Sequence, residues 1–191
     1  MTGGVRGGSK GFVWSLTTSG SRLLELDNGE ADKPHRKCRA YEPSPYFVEH
    51  TLALSELDLQ LRDIGGITVT DIQLEPACWR GCNGTTLKPD MFAVTSDGEY
   101  DDHWFFELDL ATETPARIVG KCLQYQAYYR GNTEQRRYGV FPLVVWIVPN
   151  ERRQASLREH IRQCAELQHK NLFTVILPDE LEALVRKGAG V

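Results

Sequence analysis

Apolar residues at 47, 48, 52, 54, 57, 59 and 61 of "FVEHTLALSELDLQLRD" show mixed spacing. Their number and the length of the run predict an amphipathic helix, ended by Gly65-Gly66. "ITVTDIQLEP" alternates strictly and is rich in β-branched residues, which predicts a strand. "ACWRGCNGTT" reads as a loop, and "LKPDMFAVTSDG" and "EYDDHWFFELDLA" read as two strands meeting in a hairpin near Asp97-Gly98. Thr114, Pro115 and Gly131 punctuate a helix over "TETPARIVGKCLQYQAYYRGN". The nearly all-apolar "YGVFPLVVWIVPN" predicts a buried central strand. A charged amphipathic helix over 151–169, a strand at "NLFTVILP" and a closing helix at "DELEALVRKG" follow.

From residue 47 the order is α-β-β-β-α-β-α-β-α. A three-stranded meander that runs into crossover units predicts an α/β (α+β) domain, with a mixed central sheet and helices on both faces. Ahead of it, residues 1–28 predict a short hairpin and a helix, and the proline-containing, basic stretch 29–46 a linker. The expected organisation is therefore 1–28, 29–46 and 47–191.

Composition adds limits. The 191 residues are 41% hydrophobic and 25% charged, which suits one moderate domain with a real core. The longest apolar run, "FPLVVWIV", is a strand's length, so no membrane partner is expected, and the opening residues lack the pattern of a secretory signal. Five scattered cysteines fit reduced thiols in a cytoplasmic setting. Cys78 and Cys82 are not followed by a second ligand pair, so no zinc site is expected.

The net charge of −4 is unevenly spread. Residues 1–40 carry seven Lys/Arg against four Asp/Glu, residues 41–116 three against fifteen, and residues 117–191 twelve against seven. An acidic centre between basic flanks suits a carboxylate site that holds a metal ion beside phosphate.

The acids themselves are unusual for so apolar a region. Glu107 and Asp109 point to one side of their strand, roughly 7 Å apart. His103 and Phe105 share that side, and hairpin pairing can bring Asp90 beside Glu107. Asp90 and Glu107, with the Leu108 carbonyl, would give a hard cation such as Mg²⁺ the oxygen ligands it needs. On the next helix Lys121, Gln124 and Tyr128 fall at i, i+3 and i+7, on one face. Ordinary readings compete: a turn residue for Asp90, a solvated strand face for Glu107 and Asp109, and a favourable charge near a helix N-terminus for Glu113. Packing is the ordinary reading for the tyrosines and hydrogen bonding for His50 and His103. The agreement of acids, lysine and element order favours a site.

"PD" at 89–90 and "ELD" at 107–109, in this element order, resemble the PD-(D/E)XK nuclease superfamily. "QYQAY" at 124–128 is similar to the Gln-x-x-x-Tyr element of its RecB-like branch. The resemblance implies a restriction-endonuclease-like core that cuts DNA with Mg²⁺-activated water. Where that pattern has Lys, this chain has Asp109, and Lys121 is the expected migrated replacement.

"HTLALSELDLQL", "LKPDMFAV", "FFELDLATETPARIVGKCLQYQAYY" and "FPLVVWIVP" resemble the replication-relaxation family of plasmids and mobile elements. "VWSLTTSGSRLL" is similar to the wing and following helix of a winged-helix domain, so residues 1–28 are expected to be a wing remnant.

The resemblance implies a Mg²⁺- or Mn²⁺-dependent DNA endonuclease or nickase. Asp90, Glu107 and Glu113 are the expected metal ligands, and Lys121, Asp109, Gln124 and Tyr128 the catalytic set. Arg117, Arg130, Arg136 and Arg137 are expected to hold DNA phosphates. A second copy or a replication or mobilisation protein is the expected protein partner. The alternative is a catalytically inactive DNA-binding accessory module that keeps the fold.

Overall fold

A computed structural model describes residues 17–27, 44–82 and 84–190. The chain divides into two compact units, Met1–Val48 and Glu49–Val191. In the first, helix α1 runs over Thr18–Asp27 and its Gly20 N–H is bonded to the Thr17 hydroxyl (3.1 Å). The wing hairpin expected before it, and most of the linker, lie outside the described residues.

Helix α2, Pro45–Asp63, leads into the second unit. Five strands form its main sheet: β1 (Thr68–Leu74), β4 (Met91–Ser96), β5 (Asp101–Leu108), β6 (Leu143–Ile147) and β7 (Phe173–Ile176), in the order β1-β4-β5-β6-β7. The first three pair antiparallel and the last three parallel. Helices α3 (Pro115–Arg130) and α5 (Glu151–Gln163) make the parallel crossovers, and α6 (Leu181–Lys187) closes the chain.

The period-two pattern of the strands sorts the core into two layers. Phe92, Phe105, Val144, Trp146 and Val175 pack with Ile118, Cys122 and Tyr125 of α3 and Leu157 and Ile161 of α5. Met91, Ala93, Trp104, Phe106, Val145 and Ile147 pack with Leu54, Leu57 and Leu61 of α2 and Leu181 and Val185 of α6. Helices thus cover both faces of a mixed sheet, as the element order predicts. Among the described residues, no helix is long and apolar enough to cross a membrane.

Local chemistry sets the boundaries. The Thr114 hydroxyl accepts from Arg117 N at the start of α3, with Pro115 in the first turn. The Asn150 side chain caps α5 by accepting from Arg153 N (3.0 Å). In the β4–β5 turn, Asp97 Oδ1 accepts from Glu99 N and Tyr100 N (both 2.9 Å), and Gly98 takes φ 95°, a conformation that favours glycine.

Three features depart from the sequence reading. The expected loop 77–86 contains a two-stranded hairpin, β2 (Arg80–Cys82) with β3 (Thr85–Leu87). A short helix, α4 (Thr133–Tyr138), stands between α3 and β6. Helix α5 stops at Gln163 rather than 169, because the following loop is tied to α3. Gln126 Oε1 accepts from Gln168 N (2.6 Å) and His169 N (3.0 Å), its Nε2 donates to Glu166 O (2.9 Å), and Leu167 enters the core.

A buried ion pair links the small hairpin to the helices. Arg80 Nε donates to Glu134 Oε1 (3.0 Å), while its other nitrogens donate to Cys78 O (2.8 Å) and Gln73 Oε1 (3.2 Å). The guanidinium lies 4.9 Å from the Phe92 ring centre. Tyr128 donates its hydroxyl to the same Glu134 oxygen (2.5 Å). Removing one partner strands a buried charge. Glu134→Ala is expected to cost about 3–5 kcal/mol, read as a lower urea midpoint with an unchanged slope.

Candidate functional site

The antiparallel register pairs Met91 with Phe106. Continued by one residue it sets Asp90 opposite Glu107, on the sheet face that α3 covers. Glu107 is only 1% exposed, at the end of a strand whose neighbours are aromatic and aliphatic. A carboxyl so placed needs partners, and α3 delivers two, one turn apart. Tyr125 donates its hydroxyl to Oε1 (2.5 Å), and the Lys121 ammonium donates to Oε2.

Lys121 Nζ also lies 3.9 Å from Asp90 Oδ1, so one ammonium faces both acids. The other Asp90 oxygen accepts from Leu108 N (2.8 Å) and lies 3.3 Å from His50 Nε2. It is thus the Leu108 N–H, rather than its carbonyl, that the structure shows at Asp90. His50 Nδ1 is in turn 3.9 Å from Glu75 Oε1, and Glu75 N donates to Asp90 O (3.3 Å). The side chains of Asp90 (15% exposed) and Lys121 (25%) open the cluster to solvent.

Burial dominates the electrostatics. It pushes the Glu107 carboxyl up to about 8, and the facing Asp90 adds to the push, while Lys121 and Tyr125 pull it back. Burial also opposes ionisation of Asp90, but His50, Lys121 and Leu108 N–H outweigh it and hold that carboxyl below its usual value. Burial works against the charge on Lys121 as well, yet Glu107 and Asp90 hold its proton more tightly than usual. The hydrogen bond to Asp90 raises His50 against the effect of burial. Asp90 is the firm anion of the cluster, Lys121 its cation, and Glu107 the acid that resists ionisation.

Four of the expected site residues fall elsewhere. Asp109 lies on the same sheet face as Glu107 but is held by α5. Arg153 Nε donates to Oδ2, its Nη2 donates to Oδ1 (3.1 Å), and Ala111 N donates to Oδ1 (2.9 Å). Arg153 Nη2 reaches the Glu113 carbonyl too (2.6 Å). These bonds fix the turn from β5 into α3, where Ala111 sits at φ 58°, a left-handed conformation that a residue with a side chain rarely adopts. Asp109 therefore positions α3, and through it Lys121, without meeting the cluster.

The Glu113 carboxylate pairs with Arg117 (3.1 Å), and its charge reaches Lys121 only as a field. Gln124 is exposed on α3, about 60° round the helix from Lys121 on the side away from Tyr125. Tyr128 is captured by Glu134 two turns beyond Lys121. Tyr125 takes the place expected of Gln124 and Tyr128.

Of the arginines, Arg117 is one turn from Lys121. Arg130 is nine residues further along α3 than Lys121, about 14 Å at the helical rise. Its Nη2 donates to Gln168 Oε1 (2.8 Å). Arg136 donates to Gly131 O (3.0 Å), and Arg137 stands over Tyr138 (4.8 Å). These three exposed residues gather at the far end of α3, away from the carboxylates.

Sequence reasoning missed Arg153 and the central place of Tyr125. The i, i+4 spacing of Lys121 and Tyr125 was a usable signal, whereas nothing in the sequence couples Arg153 to Asp109.

These features define a mixed α/β protein with two facing carboxylates and a helix-borne lysine at one end of its sheet. By sequence the chain matches the replication-relaxation family over residues 1–144, and it belongs to that family. The match takes in Asp90, Glu107, Lys121 and Tyr125 and stops short of Arg153. No curated protein and no solved structure matches the chain.

Two consequences can be measured. Glu107 binds its proton more tightly folded than unfolded, so its contribution to stability declines as pH rises from the unfolded value near 4.5 towards 8. Glu107→Gln removes that decline. Urea midpoints at pH 5.5 and 7.5 are expected to move in favour of the variant at the higher pH. Asp109→Ala leaves Arg153 facing a buried gap, and is expected to lower stability by about 3–5 kcal/mol in the same titration.

Proposed function

We propose that this member of the replication-relaxation family is a Mg²⁺- or Mn²⁺-dependent DNA endonuclease or nickase-like domain, serving the replication of a plasmid or mobile element, on a PD-(D/E)XK-type core. One observation carries the reading: Lys121, delivered from α3, stands between Asp90 and Glu107 although Asp109 occupies the strand position where that core has its lysine. Acid, acid and lysine converge while the lysine's place in sequence has changed.

The donor set fits a hard cation in part. Among the described residues no group of three His, Cys, Asp or Glu side chains is arranged to hold a metal. Mg²⁺ needs only one or two carboxylates, with water and phosphate oxygens completing its shell. Asp90 Oδ1 and Glu107 Oε2, the oxygens that now face Lys121, would hold it. When bound, such an ion lowers the pKa of a coordinated water and offsets charge on the phosphate.

The chain's own residues supply the rest. His50 and Leu108 N–H keep Asp90 ionised and aimed. Tyr125 fixes the Glu107 carboxyl. Lys121, on a flexible stem and partly exposed, would turn from the acids to the phosphate or the attacking water, where its charge stabilises the transition state. Arg117 would hold a flanking phosphate, and Arg130, Arg136 and Arg137 would contact DNA further from the cut.

A second reading rests on a specific observation too. Every oxygen of the two acids already faces a donor, with the Lys121 ammonium serving as an internal cation. A domain frozen in that state would be a non-catalytic DNA-binding accessory module.

Calorimetric titration of Mg²⁺ and Mn²⁺, with a supercoiled-plasmid nicking assay beside it, separates the two. The nuclease reading expects binding and nicking in the wild type and loss of both in Glu107→Ala. Because the metal competes with the Glu107 proton, affinity should fall about tenfold for each pH unit below 8. Absence of metal uptake at pH 8.5 would leave the accessory-module reading standing.

A further inference from the structure

Next to the carboxylates lies a feature that the proposed chemistry does not use. Trp79 is 37% exposed, at the entry to the β2–β3 hairpin, and Lys88 Nζ stands 4.4 Å from the centre of its ring. Large aromatic side chains are otherwise mostly buried in the second unit. Among the described residues its other exposed one, Tyr100, belongs to the β4–β5 turn, at the opposite end of these strands from Asp90.

The Trp79–Lys88 pair is tied to the site through the backbone. Cys78 donates its thiol to Pro89 O (2.9 Å), and Pro89 is the residue between Lys88 and Asp90. Burial pushes the Cys78 thiol up to about 12, so it stays protonated and able to donate. Trp79 N donates to Pro76 O (3.2 Å), and Glu75 N to Asp90 O (3.3 Å). Trp79 and Lys88 are the outward-facing neighbours of this locked crossing. Lys88 is two positions before Asp90, so their Cα atoms are at most about 7 Å apart.

Charge makes the position more telling. In the acidic stretch 41–116 the only lysine and arginine residues are Arg62, Arg80 and Lys88. Arg80 is buried against Glu134, and Arg62 pairs with Asp58 on α2 (2.6 Å). Lys88, two positions before Asp90 in the chain, is exposed, and its ammonium stands over an indole. An aromatic ring for a base and an ammonium for a phosphate are the two parts of a single-strand contact. Base pairs in a duplex keep their faces stacked on one another, so only an unpaired base can use the ring.

We infer that Trp79 and Lys88 form a holding site for an unpaired DNA nucleotide beside the carboxylate cluster, the indole stacking the base and the ammonium holding its phosphate. The inference rests on the nuclease-like reading and names its substrate class: DNA with single-stranded character at the cut, in which base and scissile phosphate belong to the same or adjacent nucleotides.

The test is fluorescence anisotropy with a labelled oligothymidylate and a duplex of equal length, in EDTA, where no cleavage occurs. Trp79→Ala is expected to weaken single-strand binding about tenfold and Trp79→Phe to keep most of it, with duplex binding changed less than about twofold. Lys88→Gln, at an exposed position that does not threaten folding, should lower the slope of log affinity against log salt by about 0.7. Single-strand affinity unchanged in both Trp79→Ala and Lys88→Gln would overturn the inference, as would equal losses for strand and duplex. Nicking by the wild type in Mg²⁺, measured separately, reports on the nuclease reading. Failure of the holding site and failure of the chemistry are therefore told apart.

Discussion

The second unit is organised around the cost of putting a carboxyl inside it. Glu107 stands at the end of a strand sealed by both core layers, where an unpaired charge would be intolerable. Tyr125 and Lys121 resolve this from a single helix, and they do so only if α3 has one rotation and one height relative to β5. The sheet and helix around the site can be read as means of fixing those two quantities. At its start, the Asp109–Arg153 pair and the left-handed Ala111 determine how the chain leaves β5. Further along, Glu134 takes the Tyr128 hydroxyl and Arg80 together, and Gln126 holds the loop behind α5. Three sets of contacts along its length thus set the helix's rotation and height against β5.

The two buried polar systems divide the work. Arg80, Glu134 and Tyr128 are deeply buried and bonded to one another rather than to the acids, so their chemistry is cohesive. The cluster of Asp90, Glu107, Lys121 and His50 is open on one side and carries opposing preferences, with one acid held ionised and the other held back. Groups whose environments drive their proton affinities apart mark a site poised for an incoming charge. In the first system each group gains from staying as it is. In the second, Glu107 gains from any added cation.

The sequence made much of this legible. The strands, both crossover helices and the facing of Asp90 and Glu107 follow from period-two patterning, from Thr114-Pro115 punctuation and from the hairpin at Asp97-Gly98. The β2–β3 hairpin was illegible because three-residue strands carry no periodicity, and α4 because a six-residue helix presents fewer than two turns of pattern. Within α3 the choice of site residues turned on angle and reach. At 100° per residue, Gln124 falls about 60° to one side of Lys121 and Tyr125 about 40° to the other, so the sheet receives the tyrosine and solvent the glutamine. Tyr128 has a suitable angle, but it lies two turns away, where Glu134 intercepts it. Asp109 kept the side of the strand that alternation predicts. Its partner, Arg153, comes from a helix more than forty residues on, a pairing that no local pattern encodes.

The uneven charge of the chain gains a structural meaning from this arrangement. The acidic stretch builds β1, β4 and β5, and the basic one begins with α3, so folding sets Lys121 against carboxylates that would otherwise repel each other. The domain supplies from within the cation that its acids require. The Lys121 ammonium is the cation that the two carboxyls meet in the fold. A divalent ion bound there, as proposed, would have to outcompete an ammonium carried on a flexible four-carbon stem. A lysine in place of Asp109, just past β5, would lose the contact with Arg153 that holds the β5–α3 turn. With Asp109 at the turn and Lys121 on the helix, the chain has both the Arg153 contact and a cation at the acids.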